Sequence, residues 1–224
     1  RPVAGDQAVM RYPVFVVPAD LMSGRVIYLR IESPSSLRGI LWLHPEASFF
    51  NAYSHEALLF GALFGMLLAL FVYIAVFGVI MRDPALISLA VFILAYVGYA
   101  VSDRGFLDTA IWPDAMLLAR MLSFPGTFVI HGARLAFSLY YLRVPQHYPR
   151  VALALWGLVG VMALGALRAI WEVAADEVYW ARRVLPYAGI LVTAVTAALL
   201  LVMLRREWRR VLAFVLCWLP ALAA

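Results

Sequence analysis

An uncharged apolar run, residues 58–81, constrains the fold of this chain more than any other feature. A helix needs about 20 predominantly apolar residues to cross the hydrocarbon core of a bilayer. Hydrophobic residues make up 65% of the chain and charged residues 14%, whereas soluble domains are about half apolar and about a quarter charged. We therefore predict a mainly α fold, a polytopic transmembrane helix bundle, and exclude a cytosolic enzyme, a disordered tail and a nucleic-acid-binding module. The other spans are predicted at residues 84–102, 115–142, 151–170, 184–204 and 211–224, the last one truncated.

Residues 1–45 follow a different pattern. Short apolar and β-branched runs at residues 12–17, 25–32 and 37–43 alternate with prolines and serines, which is typical of antiparallel strands. Since two or three strands cannot bury a core alone, we expect them to end a larger β-domain. Residues 46–57 are predicted to connect this β-domain to the first span. The chain begins without Met and ends inside an apolar run, so we expect a piece of a longer protein.

The arginines predict the orientation of the bundle. All 18 basic residues are arginines, against 13 acidic residues, and ten of the arginines lie in the short loops between the spans. If the β-region lies outside the cell, the inner loops carry seven arginines and the outer loops three, as expected for a cytoplasmic inner face. We therefore predict a multi-pass membrane protein with an extracytoplasmic N-terminal region. The inner arginines are Arg82, Arg143, Arg150, Arg205, Arg206, Arg209 and Arg210, and the outer ones are Arg104, Arg182 and Arg183.

Six polar side chains recur along the third predicted span at intervals of three or four residues, which places them on one helix face. Ionisable groups inside a span are costly and usually face the bundle interior or a water-filled cavity. Two interpretations stay open: a polar seam that stabilises the bundle, which we favour, or a signal-relay or ligand site. Arg120 and Arg134 can also extend towards the interfaces, which leaves His131 in the middle. The six residues of this polar stripe are Arg120, Ser123, Thr127, His131, Arg134 and Ser138.

Two further features concern helix geometry. Pro125 and Gly126 lie within the same span and form a hinge candidate, since proline removes a helix hydrogen bond. Gly61, Gly65 and Ala69 recur every four residues on the first span, a row that permits close helix approach. We favour packing of this row within the chain, and a homodimer contact is the alternative.

Several motifs of the chain, in their order and spacing, resemble the bacterial seven-transmembrane receptors with diverse intracellular signalling modules, the 7TMR-DISM family. The resemblance covers residues 28–149 best, and hydropathy alone extends it further. The motifs are residues 28–37 (YLRIESPSSL), Leu41-Trp42, residues 61–70 (GALFGMLLAL), Tyr73, Arg82-Asp83, Gly105-Phe106 and residues 111–113 (IWP).

The resemblance implies an extracellular, jelly-roll-like and carbohydrate-binding-like sensor, seven membrane helices and a cytoplasmic output module. In that family the module is commonly a diguanylate cyclase or a histidine kinase. We accordingly expect residues 1–45 to be the end of the sensor and residues 58–224 most of the membrane domain. The expected function is transmission of an extracytoplasmic signal, from a ligand of carbohydrate type, across the bacterial inner membrane.

The chain carries no motif for chemistry. His44, His55 and His147 lack a second ligand at a useful spacing, and no phosphate loop, nucleophile elbow or zinc signature is present. We therefore expect no enzyme activity, metal or cofactor in this chain, membrane lipid as a partner and no nucleic acid. The alternative function is a transporter or channel subunit that uses the polar stripe as a substrate path.

Overall fold

The computed structural model describes residues 46–107 and 116–223, and the strands predicted in residues 1–45 lie outside this part of the chain. The chain divides into two compact units, Arg1–Leu63 and Phe64–Ala224. In the first, the ring of Phe49 stacks on that of Tyr53, and the Ser54 hydroxyl donates to the Phe50 carbonyl over 2.8 Å. The described helices are α1 (Glu46–Met81), α2 (Pro84–Asp103), α3 (Met116–Tyr141), α4 (Val144–His147), α5 (Pro149–Ala174), α6 (Tyr179–Leu204) and α7 (Trp208–Ala223).

Four of the described helices are long and apolar enough to cross a membrane. They are the segments Ser48–Met81, Pro84–Asp103, Pro149–Ala174 and Tyr179–Leu204. The 26 residues of α3 also suffice in length, at about 39 Å, to cross a hydrocarbon core of about 30 Å. Its arginines and hydroxyls make α3 more polar than these four helices. The chain is therefore a multi-pass membrane protein.

The helices extend beyond the apolar runs of the sequence. Residues 46–57, predicted as a connector, are helical and continuous with the first span in α1. Similarly, α6 begins at Tyr179, before the predicted span at residues 184–204. A short helix, α4, occupies the loop before α5. Hydropathy marks the part of a helix that suits the bilayer core, and a helix continues into the headgroup region when its backbone hydrogen bonds allow.

The turn between α1 and α2 follows from its sequence. The Asp83 carboxylate accepts a 2.8 Å hydrogen bond from the Ala85 amide and caps α2. Pro84 occupies the first turn, where its missing N–H costs no helix hydrogen bond. Arg82 has φ of 51°, the left-handed conformation that ends α1 and reverses the chain. These groups fix α2 as a separate span.

The central helix of the second unit is α3, which packs against α2, α5 and α6. Phe128, Leu135 and Leu139 lie on its buried face, at helical spacing. The facing surface of α5 is built from small residues and lets the two helices approach closely. A Cβ added at Gly165 would lie 2.8 Å from ring atoms of Phe128. The main contributors to this core from α5 and α6 are Met162, Ala166, Ala169, Ala188, Val192, Leu199 and Met203.

The C-terminal end of α3 lies beside the N-terminal end of α7. The Arg210 guanidinium donates to the Tyr141 carbonyl over 3.3 Å, and the Phe214 ring stacks on that of Phe137. Nearby, the guanidinium of Arg206 lies 5.2 Å from the centre of the Tyr148 ring. This end of the bundle is here called the arginine-rich end. The loops at this end contain the seven arginines predicted to be cytoplasmic: Arg82, Arg143, Arg150, Arg205, Arg206, Arg209 and Arg210.

Candidate functional site

A cleft of about 1000 Å³ opens between α2, α3 and α6 in the half of the bundle that lies away from the arginine-rich end. Its α3 wall extends from Ala119 to His131, about 18 Å along the helix axis. The cleft combines apolar walls with a few polar groups, the usual composition of a ligand site. Its polar lining consists of Tyr99, Ser102, Asp103, Arg120, Ser123, Thr127, His131 and Thr193, and its apolar lining includes Phe124, Leu185, Ile190 and Ala194.

The structure brings most of the polar stripe to this cleft. Arg120, Ser123, Thr127 and His131 line it directly. Arg134 reaches its lining through Thr193, since its Nη2 donates to the Thr193 hydroxyl over 2.8 Å. Ser138 lies deeper and is fully buried, and its hydroxyl donates to the Arg134 carbonyl over 2.8 Å. The stripe thus faces α2 and α6, the interior of the bundle.

An ion pair lies at the end of the cleft farther from the arginine-rich end, here called its outer end. The guanidinium of Arg120 contacts the carboxylate of Asp176 in the turn between α5 and α6. Asp176 has φ of 56°, a left-handed conformation that aspartate tolerates better than most residues. Because the Asp176 side chain is 81% exposed, the pair contributes at most about 1 kcal/mol to stability. The pair connects the α3 wall of the cleft to the turn between α5 and α6.

Hydroxyl groups join α2 to α3 near the same end. The Ser102 hydroxyl donates to the Ala119 carbonyl over 2.6 Å, and the Ser123 hydroxyl donates to the Ser102 hydroxyl over 3.2 Å. The Thr127 hydroxyl turns back to the Ser123 carbonyl over 2.6 Å. These bonds satisfy small polar groups that would be costly in hydrocarbon.

The end of the cleft nearer the arginine-rich end, here called its inner end, has polar atoms that lack hydrogen-bond partners among the described residues. Arg134 donates to Thr193, but within the described part of the chain its Nε and the Nδ1 of His131 are buried without a hydrogen-bond partner. Gly189 of α6 leaves room for the imidazole, because a Cβ added there would lie 3.2 Å from His131 Nε2. The Thr193 hydroxyl in turn donates to the Gly189 carbonyl over 2.8 Å. This end therefore has two nitrogen atoms without a hydrogen-bond partner among the described residues, and one of them belongs to the Arg134 cation.

The other candidate residues lie away from this cleft. Pro125 is buried, and α3 continues as a helix through Pro125 and Gly126. Gly65 and Ala69 are exposed, and among the described residues no atom lies within 4 Å of a Cβ built at Gly61 or Gly65. The described part of the chain thus provides no packing partner for this row of small residues.

Sequence reasoning missed the α6 wall. Pro186, Gly189 and Thr193 recur at intervals of three and four residues, the spacing of one helix face. That spacing was visible in the sequence, but a face made of small and apolar residues does not stand out inside a span. Glu172 was also missed: it is 3% exposed and accepts a 3.0 Å hydrogen bond from the Ala181 amide.

Chemically, the cleft can bind a ligand through a cation, hydroxyls and an imidazole. Within residues 46–107 and 116–223, no group of three or more His, Cys, Asp or Glu side chains could hold a metal ion. The cleft is thus a candidate binding site that combines apolar walls with a few polar groups.

A helical membrane domain with an interior polar cleft defines the class of this protein. The model of the family described as 7TM diverse intracellular signalling matches residues 56–224. The chain therefore belongs to the 7TMR-DISM membrane-domain family. No curated protein and no solved structure matches the chain.

Proposed function

We propose that this chain is the membrane-embedded transmission part of a bacterial signalling receptor. An extracytoplasmic ligand of carbohydrate type binds a sensor formed in part by residues 1–45. The helix bundle then changes its packing and passes the signal to a cytoplasmic output module in the same protein. That module is a diguanylate cyclase or a histidine kinase, and the arginine-rich end faces the cytoplasm.

The observation that carries this proposal is the polar stripe on the central helix, which faces two neighbouring helices through few hydrogen bonds. Such a seam can hold more than one arrangement, because hydroxyls and guanidinium groups can exchange partners at small cost. The family description, diverse intracellular signalling, supports the same function. The contact of Arg120 with Asp176 supplies a link from the outer turn to the stripe.

The transporter alternative requires discontinuous helices at a substrate site. Two helices beside the cleft have a proline inside the helix, α3 with Pro125 and α6 with Pro186, and both are continuous through it. We therefore favour the receptor.

Substitution of the stripe in the full-length protein tests the proposal. His131→Leu and Arg134→Leu remove the two ionisable groups of the inner end, and we expect each to change the basal output at least about fivefold. That factor corresponds to about 1 kcal/mol between two packings. The output is measured in cells as the cyclic di-GMP level or as autophosphorylation of the kinase, at matched protein level.

Thr196→Val is the control, since Thr196 lies on the buried face of α6 and its hydroxyl donates only to the Val192 carbonyl of its own helix. Output that stays at the wild-type level in both stripe variants, with normal expression, would reject the relay function.

A further inference from the structure

Arg134 places a guanidinium cation within α3, a position where charged side chains are rare in membrane helices. Among the described residues, the only hydrogen-bond partner of its guanidinium is the neutral hydroxyl of Thr193, and its Nε has none. Arg120, Arg168 and Arg210, by contrast, each form an ion pair with a carboxylate among the described residues. A guanidinium half-buried in hydrocarbon is normally compensated by an anion or by several acceptors. In the described residues, such an anion is lacking at Arg134.

The groups around Arg134 leave space for that anion in the cleft. Thr193 bonds Arg134 and also lines the cleft, and it is exposed on α6. His131, one turn before Arg134 on α3, lines the same end. Gly189 of α6 lets the imidazole of His131 sit at this end of the cleft, since a Cβ there would lie 3.2 Å from His131 Nε2. A cation, an imidazole and a hydroxyl therefore converge on one pocket end.

The remaining walls determine what kind of molecule carries the anion. Phe124, Leu185 and Ile190 present apolar surface over the length of the cleft. Its volume of about 1000 Å³ is at the upper end of the range for ligand sites. A bare inorganic anion would leave most of this surface uncovered. An amphipathic molecule with an acidic head and an apolar body covers both parts.

We propose that the cleft between α2, α3 and α6 binds an amphipathic carboxylic acid, with its carboxylate at His131 and Thr193 beside Arg134 and its apolar body along Phe124, Leu185 and Ile190. The carboxylate compensates the charge of Arg134, and the apolar body covers the walls. This site is in the membrane domain itself and is separate from the extracytoplasmic sensor. Binding requires no output module, so it can succeed or fail independently of the receptor proposal.

The ligand can come from the bilayer or from the aqueous phase, and two probes distinguish these sources. The purified chain is placed in nanodiscs of uncharged phosphatidylcholine, and binding of radiolabelled palmitate is measured by scintillation proximity. Hydrocinnamate, a water-soluble aromatic acid, is the competitor. We expect saturable palmitate binding near one per chain. Displacement by hydrocinnamate indicates an aqueous route to the cleft, and resistance to it indicates a bilayer ligand.

Matched variants locate the binding. Gly189→Ala crowds the imidazole of His131 and displaces it from its position in the cleft. Thr193→Val removes the cleft hydroxyl, and we expect each substitution to weaken palmitate binding at least tenfold. Gly160→Ala and Thr196→Val are the controls: no described atom lies within 4 Å of a Cβ at Gly160, and Thr196 faces the core. Arg134→Gln should abolish saturable binding. The absence of saturable binding, or equal affinity in Gly189→Ala and Gly160→Ala, would overturn the proposal.

Discussion

The buried carboxylate of Glu172 shows how a single residue can fix a turn between two spans. Its Oε2 accepts a hydrogen bond from the Ala181 amide, and its Oε1 lies 3.2 Å from Nη2 of Arg168. Because α6 begins at Tyr179, Ala181 has one of the first four amides of the helix, which lack partners within it. Glu172 thus supplies from α5 the acceptor that the start of α6 needs.

We expect Glu172→Ala to lower the free energy of unfolding by about 1–3 kcal/mol, because the buried Ala181 amide would lose its acceptor. Titration with sodium dodecyl sulfate in mixed micelles, followed by circular dichroism, measures this change. Glu177→Ala is the matched control, since the exposed Glu177 side chain lies in the same turn, and its effect should stay within about 0.5 kcal/mol. Equal effects of the two substitutions would show that the Glu172 bond contributes nothing.

Among the elements, α3 and α5 depend on a close approach at Gly165. The Phe128 side chain, 2% exposed, lies over this glycine and stacks on the ring of Trp180. Gly132 of α3 faces Met162 of α5 less tightly, since a Cβ added at Gly132 would lie 3.4 Å from the Met162 Cβ. Glycines at the contact therefore allow α3 and α5 to approach closely, as small residues do between helices in a bilayer.

We expect Gly165→Ala to destabilise the bundle by about 1–3 kcal/mol, since the new methyl group would collide with the Phe128 ring. Gly160→Ala on the same helix meets open space and should be neutral or slightly stabilising, because alanine is the better helix former. The same detergent titration compares the two variants. Pairing Gly165→Ala with Phe128→Leu should recover part of the loss, and no recovery would place the strain elsewhere.

The elements also show what the sequence can predict. The stripe on α3 follows from the spacing of six polar residues, and the structure places four of them directly at the cleft. The face of α6 opposite them was not recognised, since Pro186 and Gly189 carry no polar side chain that would mark this face within a span. Periodicity identifies one face of one helix, whereas the pairing of faces depends on packing in three dimensions. The start of α1 at Glu46 was also not predicted, because hydropathy marks the apolar part of a helix and not its ends.

At the scale of the whole molecule, the uneven distribution of arginines among the loops corresponds to a difference between the two ends of the helix bundle. Contacts of Arg206 with Tyr148 and of Arg210 with Tyr141 join α7 to the end of α3 and the loop that follows it. Since the α2 end at Ser102 bonds to Ala119 near the start of α3, the two helices are antiparallel. Arg82, before α2, is therefore at the same end as Arg143, after α3. The seven-to-three imbalance of the loops is thus an imbalance between two ends of one bundle.

If this imbalance sets the orientation, removing it should disturb the orientation. Changing Arg205, Arg206, Arg209 and Arg210 to glutamine leaves three loop arginines at each end. In a Cys217→Ser background, Glu177→Cys reports the outer turn through labelling of whole cells with a membrane-impermeant maleimide. We expect nearly complete labelling with the native arginines and a fall towards roughly one half in the glutamine variant, as chains insert in both orientations. The matching substitution of the same four arginines by lysine keeps the charge and should keep full labelling. Labelling that is unchanged in the glutamine variant would mean that a segment other than this loop determines how the protein inserts.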